Sequence, residues 1–131
     1  VRTVLEVART TGRRVRAVLQ PHRWVRTAMH WRALADAAAL ADEVIVVDIY
    51  GASETPIETI SPHLIVERLL DQGVTAVKHD LESATRYLAT SLQPDDLVVT
   101  LGAGDVWRVA AALVSPDRGH SAPAPAGSTP T

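Results

Sequence analysis

A histidine and two arginines stand together in the stretch Gln20–Thr27, which reads QPHRWVRT. His22 can donate a hydrogen bond or exchange a proton near neutral pH. Arg23 and Arg26 are three residues apart, a spacing that places both side chains on one side of a first helical turn. A guanidinium grips carboxylates and phosphates through paired hydrogen bonds, and a helix N-terminus adds backbone donors. This pattern favours an anion-binding loop, and a surface loop of solvated arginines is the alternative.

The connection DIYGASETPI, residues 48–57, follows the second apolar run and offers more polar groups. Long connections between secondary-structure elements are more often functional than short ones. Its polar candidates are Asp48, Tyr50 and Glu54. A turn-forming loop without a ligand is the other interpretation of this stretch.

A glycine pair follows the last apolar run, in LGAGD at residues 101–105. It resembles the opening of a dinucleotide-binding fingerprint, but Trp107 stands where that pattern needs its third glycine. Asp105 would also repel a pyrophosphate at a helix start. We therefore expect Gly102 and Gly104 to allow a close backbone approach, and Asp105 to cap a helix.

Other catalytic and metal chemistry is not predicted. A phosphate-cradling loop needs a lysine after its glycines, and the only lysine, Lys78, follows GVTAV. The sequence contains no cysteine, and no histidine has a second ligand at metal-binding spacing. His30 and Trp31 are interpreted as packing residues of a helix, and His63 as exposed. We expect no catalytic residue, no cofactor-binding residue and no metal ligand.

Alternating strand-like and helical runs must position the candidate residues. Four strand-like runs alternate with helical segments, which predicts an α/β fold: a doubly wound, mostly parallel sheet with helices on both faces. A strand order of 3-2-1-4 brings the loops after strands one, two and four to one edge, where such sheets bind ligands. Thr27, Ser61 and Asp80 are the expected N-caps of three helices.

Length and composition predict one domain and a tail. The chain has 131 residues, and 47% of them are hydrophobic. Residues 1–115 carry the periodic pattern, whereas residues 116–131 are rich in proline, alanine and serine and are predicted to be disordered. A net charge of −2 gives no reason to expect nucleic acid. No apolar run reaches the length of about 20 residues that a membrane helix needs. The lack of cysteine and of a signal-peptide pattern fits a cytoplasmic protein.

Three stretches together, AVLQPHRWVRT, ADEVIVVDIYGASETPI and DDLVVTLGAGDVWRVA, resemble the Rossmann-like C-terminal domain of the Mur ligases. The likeness is strongest to the members that join L-alanine to UDP-N-acetylmuramate, and it runs from about Val1 to Val114. The resemblance implies a cytoplasmic, three-domain enzyme of peptidoglycan precursor synthesis that uses ATP and Mg²⁺. The N-terminal domain would hold the nucleotide sugar, the central domain would hold ATP, and the C-terminal domain would close over the incoming amino acid.

The family's histidine and two arginines fall on His22, Arg23 and Arg26, and the resemblance implies that the arginines face the carboxylate of the alanyl group. Trp24 departs from the tyrosine or phenylalanine usual in the family. The family's upstream segment with paired histidines and its lysine-bearing central loop are not in this sequence. We therefore expect a domain that is inactive alone and binds substrate through those three residues together with Tyr50 and Glu54.

Two functions of other classes remain open at this point. One is a stand-alone α/β anion-binding or regulatory module without enzymatic activity, and the other is an oligomerisation domain that uses the arginine-rich first 32 residues. A phospho-acceptor module would need paired acids after its first strand. The Gln-Pro-His-Arg run at residues 20–23 argues against that version of the regulatory module.

Overall fold

The structure is a computed structural model that describes residues 1–114, so the predicted tail lies outside the described residues. Five helices and four strands alternate along these residues. The helices are α1 (Arg2–Arg9), α2 (Trp24–Ala38), α3 (Pro62–Asp71), α4 (Leu81–Ser91) and α5 (Trp107–Val114). The strands are β1 (Arg14–Leu19), β2 (Glu43–Val46), β3 (Thr75–Lys78) and β4 (Asp96–Leu101).

The four strands form one sheet in the order β3-β2-β1-β4, and every neighbouring pair is parallel. The predicted α/β fold class and strand order are therefore confirmed. The central strand β1 pairs with β2 from Arg16 opposite Glu43 to Leu19 opposite Val46. Its other edge pairs with β4, where Leu19 lies opposite Leu101. The carboxyl ends of β1, β2 and β4 consequently finish side by side.

Apolar side chains cover both faces of the sheet. The core on one face includes Leu5 of α1, Ala35 of α2 and Leu69 of α3, all fully buried. The core on the other face includes Leu88 of α4 and Val109 of α5, which are also fully buried. Because each helix buries one apolar stripe against the sheet, the helices fix the positions of the loops at its edge. None of the helices within residues 1–114 is long and apolar enough to cross a membrane.

A buried cluster of charged and polar side chains joins strands β1, β2 and β4 to helix α4. The Arg16 side chain is 1% exposed, and its Nε donates to Glu43 Oε1 at 2.7 Å. Its Nη1 lies 3.4 Å from Asp96 Oδ2, and Nη2 donates to Ser91 Oγ at 2.8 Å. The Tyr87 hydroxyl donates to the second oxygen of Glu43, which raises the pKa of Tyr87 above its usual value. These contacts compensate the desolvation of the charges.

Helix boundaries test the predicted caps. Asp80 caps α4 as predicted: its Oδ1 accepts from Ser83 N at 2.7 Å, and Ser83 Oγ accepts from Asp80 N at 3.1 Å. Ser61 stands at the N-cap of α3, but its side chain makes no capping hydrogen bond. Thr27 is a wrong prediction, because α2 begins at Trp24 and Thr27 lies inside it.

Candidate functional site

The loops after β1 and β4 are bound to each other at the carboxyl edge of the sheet. Gln20 is 5% exposed, and its Nε2 donates to Asp105 Oδ1 at 2.8 Å while its Oε1 accepts from Val106 N at 3.2 Å. A Cβ added at Gly102 would lie 2.9 Å from Gln20 O, and one at Gly104 would lie 2.7 Å from Gln20 Oε1. Both glycines therefore allow the close approach that the sequence predicted.

The loop after β2 is bound to the His22 loop as well. Tyr50 N donates to Pro21 O at 2.9 Å, and Arg23 N donates to Tyr50 O at 2.7 Å. These two bonds make a short parallel bridge between His22 and Tyr50. Their rings stack with centroids 5.6 Å apart and planes 8° apart. Two of the predicted site residues from separate loops are thus in direct contact.

Arg23 and Glu54 together start helix α2. Arg23 is the N-cap residue with φ 68°, a conformation that costs a non-glycine residue about 1–3 kcal/mol. Its carbonyl accepts from Thr27 N at 3.1 Å and from Thr27 Oγ1 at 2.7 Å. Glu54 Oε1 accepts from Trp24 N at 2.5 Å and from Val25 N at 3.3 Å. The N-cap of α2 is thus Arg23, four residues before Thr27, and a carboxylate from the neighbouring loop accepts hydrogen bonds from the first backbone N–H groups of the helix.

A cavity of about 420 Å³ opens beside this loop, between α1, α2 and the ends of β1 and β4. Its lining is mainly apolar, with Leu19, Leu34 and Leu101 among the contributors. The polar and charged side chains that line it include Arg2, His22, Arg26 and His30. An apolar cavity with a few converging polar groups is the usual form of a small-molecule site.

The structure divides the predicted site residues between different surroundings. His22 and Arg26 line the cavity, whereas Arg23 lines neither of the two cavities described. His30 was interpreted as a packing residue, but it is exposed and lines the cavity. The helical spacing of four residues between Arg26 and His30 places both side chains on one face. That spacing could have identified His30 as a site residue.

Both candidate guanidinium groups remain available to a ligand. Arg23 and Arg26 are exposed, and within residues 1–114 neither forms an ion pair. Arg14, by contrast, pairs with Asp96 at 2.6 Å, and Arg68 pairs with Asp36 at 2.8 Å. Arg26, which lines the cavity and has no acidic partner within residues 1–114, gives the cavity a positive charge that attracts carboxylates. Arg23 adds a second positive charge on the same loop, outside the cavity lining.

A second cavity, of about 410 Å³, is lined by Gln20 and Tyr50 among other residues. Its lining includes the carboxylates of Asp48, Asp80, Glu82 and Asp105. Hydrogen bonds from the backbone and side chain of Ser83 lower the pKa of Asp80 below its usual value. Asp48 forms an ion pair with Lys78 at 2.6 Å. Among the described residues no group of three histidine or acidic side chains is arranged to hold a metal ion.

Comparison with known proteins gives consistent matches. The model of the family described as "Mur ligase, glutamate ligase domain" matches residues 1–104. A relative from Deinococcus radiodurans, named UDP-N-acetylmuramate–L-alanine ligase, is 49% identical over 116 residues, which are 87% of this chain and 24% of the relative. A relative of the same name from Desulfitobacterium hafniense is 42% identical over 118 residues, 87% of this chain and 26% of the relative.

A solved structure shares the fold. The crystal structure of UDP-N-acetylmuramate-alanine ligase from Thermotoga maritima superimposes with a TM-score of 0.67 at 22% sequence identity. The match covers 92% of this chain and 24% of the solved one. The chain therefore spans about a quarter of the length of the relatives it matches.

Proposed function

The chain belongs to the Mur ligase family, through its glutamate ligase domain, and on that premise we propose that it is the C-terminal, amino-acid-binding domain of an ATP-dependent ligase. The ligase adds L-alanine to UDP-N-acetylmuramate in peptidoglycan precursor synthesis. The names of the two relatives at 49% and 42% identity support this choice of substrates. The chain corresponds to only about a quarter of those enzymes, so the complete reaction needs the N-terminal and central domains as well.

The observation that carries the proposal is the pair of exposed guanidinium groups of Arg23 and Arg26, which lack acidic partners among the described residues. Arg26 and His22 line the cavity, and the stacked ring of Tyr50 supports His22. A carboxylate held there would leave the amino group of L-alanine free to point outwards. The domain's contribution is then to position the amine and to balance charge.

The remaining chemistry is assigned to the rest of the enzyme. In the proposed reaction the γ-phosphoryl group of ATP, with Mg²⁺, would pass to the lactyl carboxylate of UDP-N-acetylmuramate and release ADP. The amine of L-alanine would then attack the acyl phosphate, lose a proton, form the amide bond and release inorganic phosphate. Lys78 of this chain is paired with Asp48. The proposal gives this domain one task, which is to hold L-alanine. Because the reaction uses ATP and a nucleotide sugar, we place the enzyme in the cytoplasm.

The test is the Arg26→Ala variant of the complete ligase. One charge-assisted hydrogen bond contributes about 1.5–3 kcal/mol, so its loss should raise the KM for L-alanine roughly 10- to 150-fold. The KM for ATP should stay unchanged. Arg26→Lys keeps the charge but loses the planar fork, and should give an intermediate KM.

Arg13→Ala is the matched control, because Arg13 is exposed on the loop before β1, at the opposite edge of the sheet. It should leave both KM values unchanged. If Arg26→Ala behaves like Arg13→Ala, the carboxylate does not bind at this loop. If the wild-type ligase prefers a different amino acid to L-alanine, the substrate assignment is wrong, and the effect of Arg26→Ala on the KM for that amino acid still tests whether its carboxylate binds at this loop.

A further inference from the structure

We infer that Glu54 is a positioning residue that fixes the backbone carrying Arg23 and Arg26 without touching the substrate. The inference rests on the proposed function, because the pair matters only if it binds a carboxylate. It narrows the sequence-based prediction, which grouped Glu54 with the substrate-binding residues. Three features of the structure support it: Glu54 caps helix α2, a strained turn positions Glu54 beside the helix start, and its carboxylate occupies backbone N–H donors there.

The first feature is the cap. A helix N-terminus leaves its first backbone N–H groups without partners. Arg23, the N-cap residue of α2, makes no side-chain cap, since a guanidinium has no acceptor. The half-buried Glu54 side chain accepts from Trp24 N and Val25 N instead. Its negative charge also suits the positive end of the helix dipole. The start of α2, and with it Arg23, is therefore held by a residue from another loop.

The second feature is the backbone that brings Glu54 to this place. Ala52 and Ser53 have φ values of 51° and 75°, which residues other than glycine rarely adopt. Glu54 N donates to Gly51 O at 3.0 Å, which closes the turn. A Cβ added at Gly51 would lie 3.0 Å from Trp24 Nε1, so the turn packs directly against the start of α2. Strained turns persist where the surrounding structure holds them, often at functional sites.

The third feature is the use of the backbone donors. Arg23 N binds Tyr50 O, while Trp24 N and Val25 N bind Glu54. A substrate carboxylate thus finds these three donors occupied and must bind the guanidinium groups. Within residues 1–114, Glu54 forms no ion pair with either arginine, so it leaves their charge available. Glu54 therefore directs the ligand to the side chains by filling the alternative site.

Amide hydrogen exchange in the 131-residue chain tests the cap without any assay of activity. Glu54→Ala should speed the exchange of the Trp24 and Val25 amides by about tenfold or more, since their acceptor is gone. Glu54→Gln retains a carbonyl acceptor and should stay within about threefold of the wild type. The matched control is Glu58→Ala, which removes an exposed carboxylate from the same loop. Unchanged exchange in Glu54→Ala overturns the inference.

Kinetics of the complete ligase distinguish positioning from ligand contact. Glu54→Ala should raise the KM for L-alanine about tenfold, and Glu54→Gln at most about threefold, with the KM for ATP unchanged in both. If Glu54 instead bound the ammonium group of L-alanine, the loss of charge would make Glu54→Gln as defective as Glu54→Ala, and the inference would be rejected. If the wild type shows no alanine-adding activity, the proposed function fails, while amide exchange still decides whether Glu54 holds the loop.

Discussion

Removal of the Arg16 side chain is the sharpest perturbation of the fold that the structure suggests. Arg16 lies on the central strand β1 and is in contact with Glu43, Ser91 and Asp96. In Arg16→Met the two carboxylates are affected unequally. Asp96 keeps two hydrogen bonds from Arg14, at 2.8 and 2.6 Å, and one from a backbone N–H. Among the described residues, Glu43, which is 6% exposed, keeps a hydrogen bond to its side chain only from the Tyr87 hydroxyl.

The expected loss follows from this imbalance. Removing one partner of a buried ion pair costs about 3–5 kcal/mol, because the remaining charge is left buried without compensation. A domain of this size unfolds with a total free energy of about 5–15 kcal/mol. Arg16→Met should therefore remove a large share of the stability. Arg14→Met should cost much less, because the Arg14 side chain is 48% exposed and water screens its pair with Asp96.

Urea unfolding at pH 7, followed by circular dichroism, measures both free energies. The double variant Arg16→Met/Glu43→Gln provides the internal check. It removes the uncompensated charge and keeps an acceptor for Tyr87, so it should be more stable than Arg16→Met alone. A loss below about 1 kcal/mol in Arg16→Met, or a double variant no more stable than Arg16→Met, would refute the reasoning that the cost arises from a buried carboxylate left without its partner.

Three further predictions concern pH, packing and capping. Hydrogen bonds from Arg14 hold the pKa of Asp96 well below its usual range, so the ionised form stabilises the fold above about pH 4 and this contribution is lost as the pH falls. Urea unfolding between pH 7 and pH 3 should thus vary less with pH in Asp96→Asn than in the wild type. Gly104→Ala places a Cβ 2.5 Å from Tyr50 Cγ and should cost about 1–3 kcal/mol in thermal unfolding, and an unchanged melting temperature would contradict this packing. Asp80→Ala should lower the melting temperature through loss of the α4 cap, whereas Asp80→Asn should retain most of it, and equal losses would show that the charge matters more than the hydrogen bond.

The features that sequence reasoning predicted correctly depend on local patterns. The run of four buried residues in Glu43–Val46 is typical of a strand covered on both faces, and such strands imply a parallel sheet. The cap at Asp80 is also local, since its partner Ser83 is three residues away. The strand order followed from the general tendency of βαβ units to cross over with one hand, which constrains the order once the elements are known.

Features that sequence reasoning missed depend on contacts between distant residues. Arg16 belongs to the arginine-rich first 32 residues, where no local pattern indicates a buried charge, but its register opposite Glu43 buries both charges. The start of α2 was placed at Thr27 because threonine is a common N-cap. Nothing within that helix indicates that a carboxylate thirty residues away in sequence caps Trp24 instead.

The candidate site depends both on a local sequence pattern and on contacts between distant residues. Both must be considered when the site is sought in other sequences. The run QPHRWVRT supplies the arginines, but the partners that fix their backbone, Tyr50 and Glu54, come from the loop after β2. A sequence with the arginine run but no acid at the position of Glu54 would leave the first donors of α2 free. A ligand carboxylate could then bind those backbone donors, and the guanidinium groups would lose their role as the main anion contacts. The two loops therefore form one functional unit. The arginine run of a sequence does not by itself predict how the carboxylate is bound, because the residue at the position of Glu54 must be known as well.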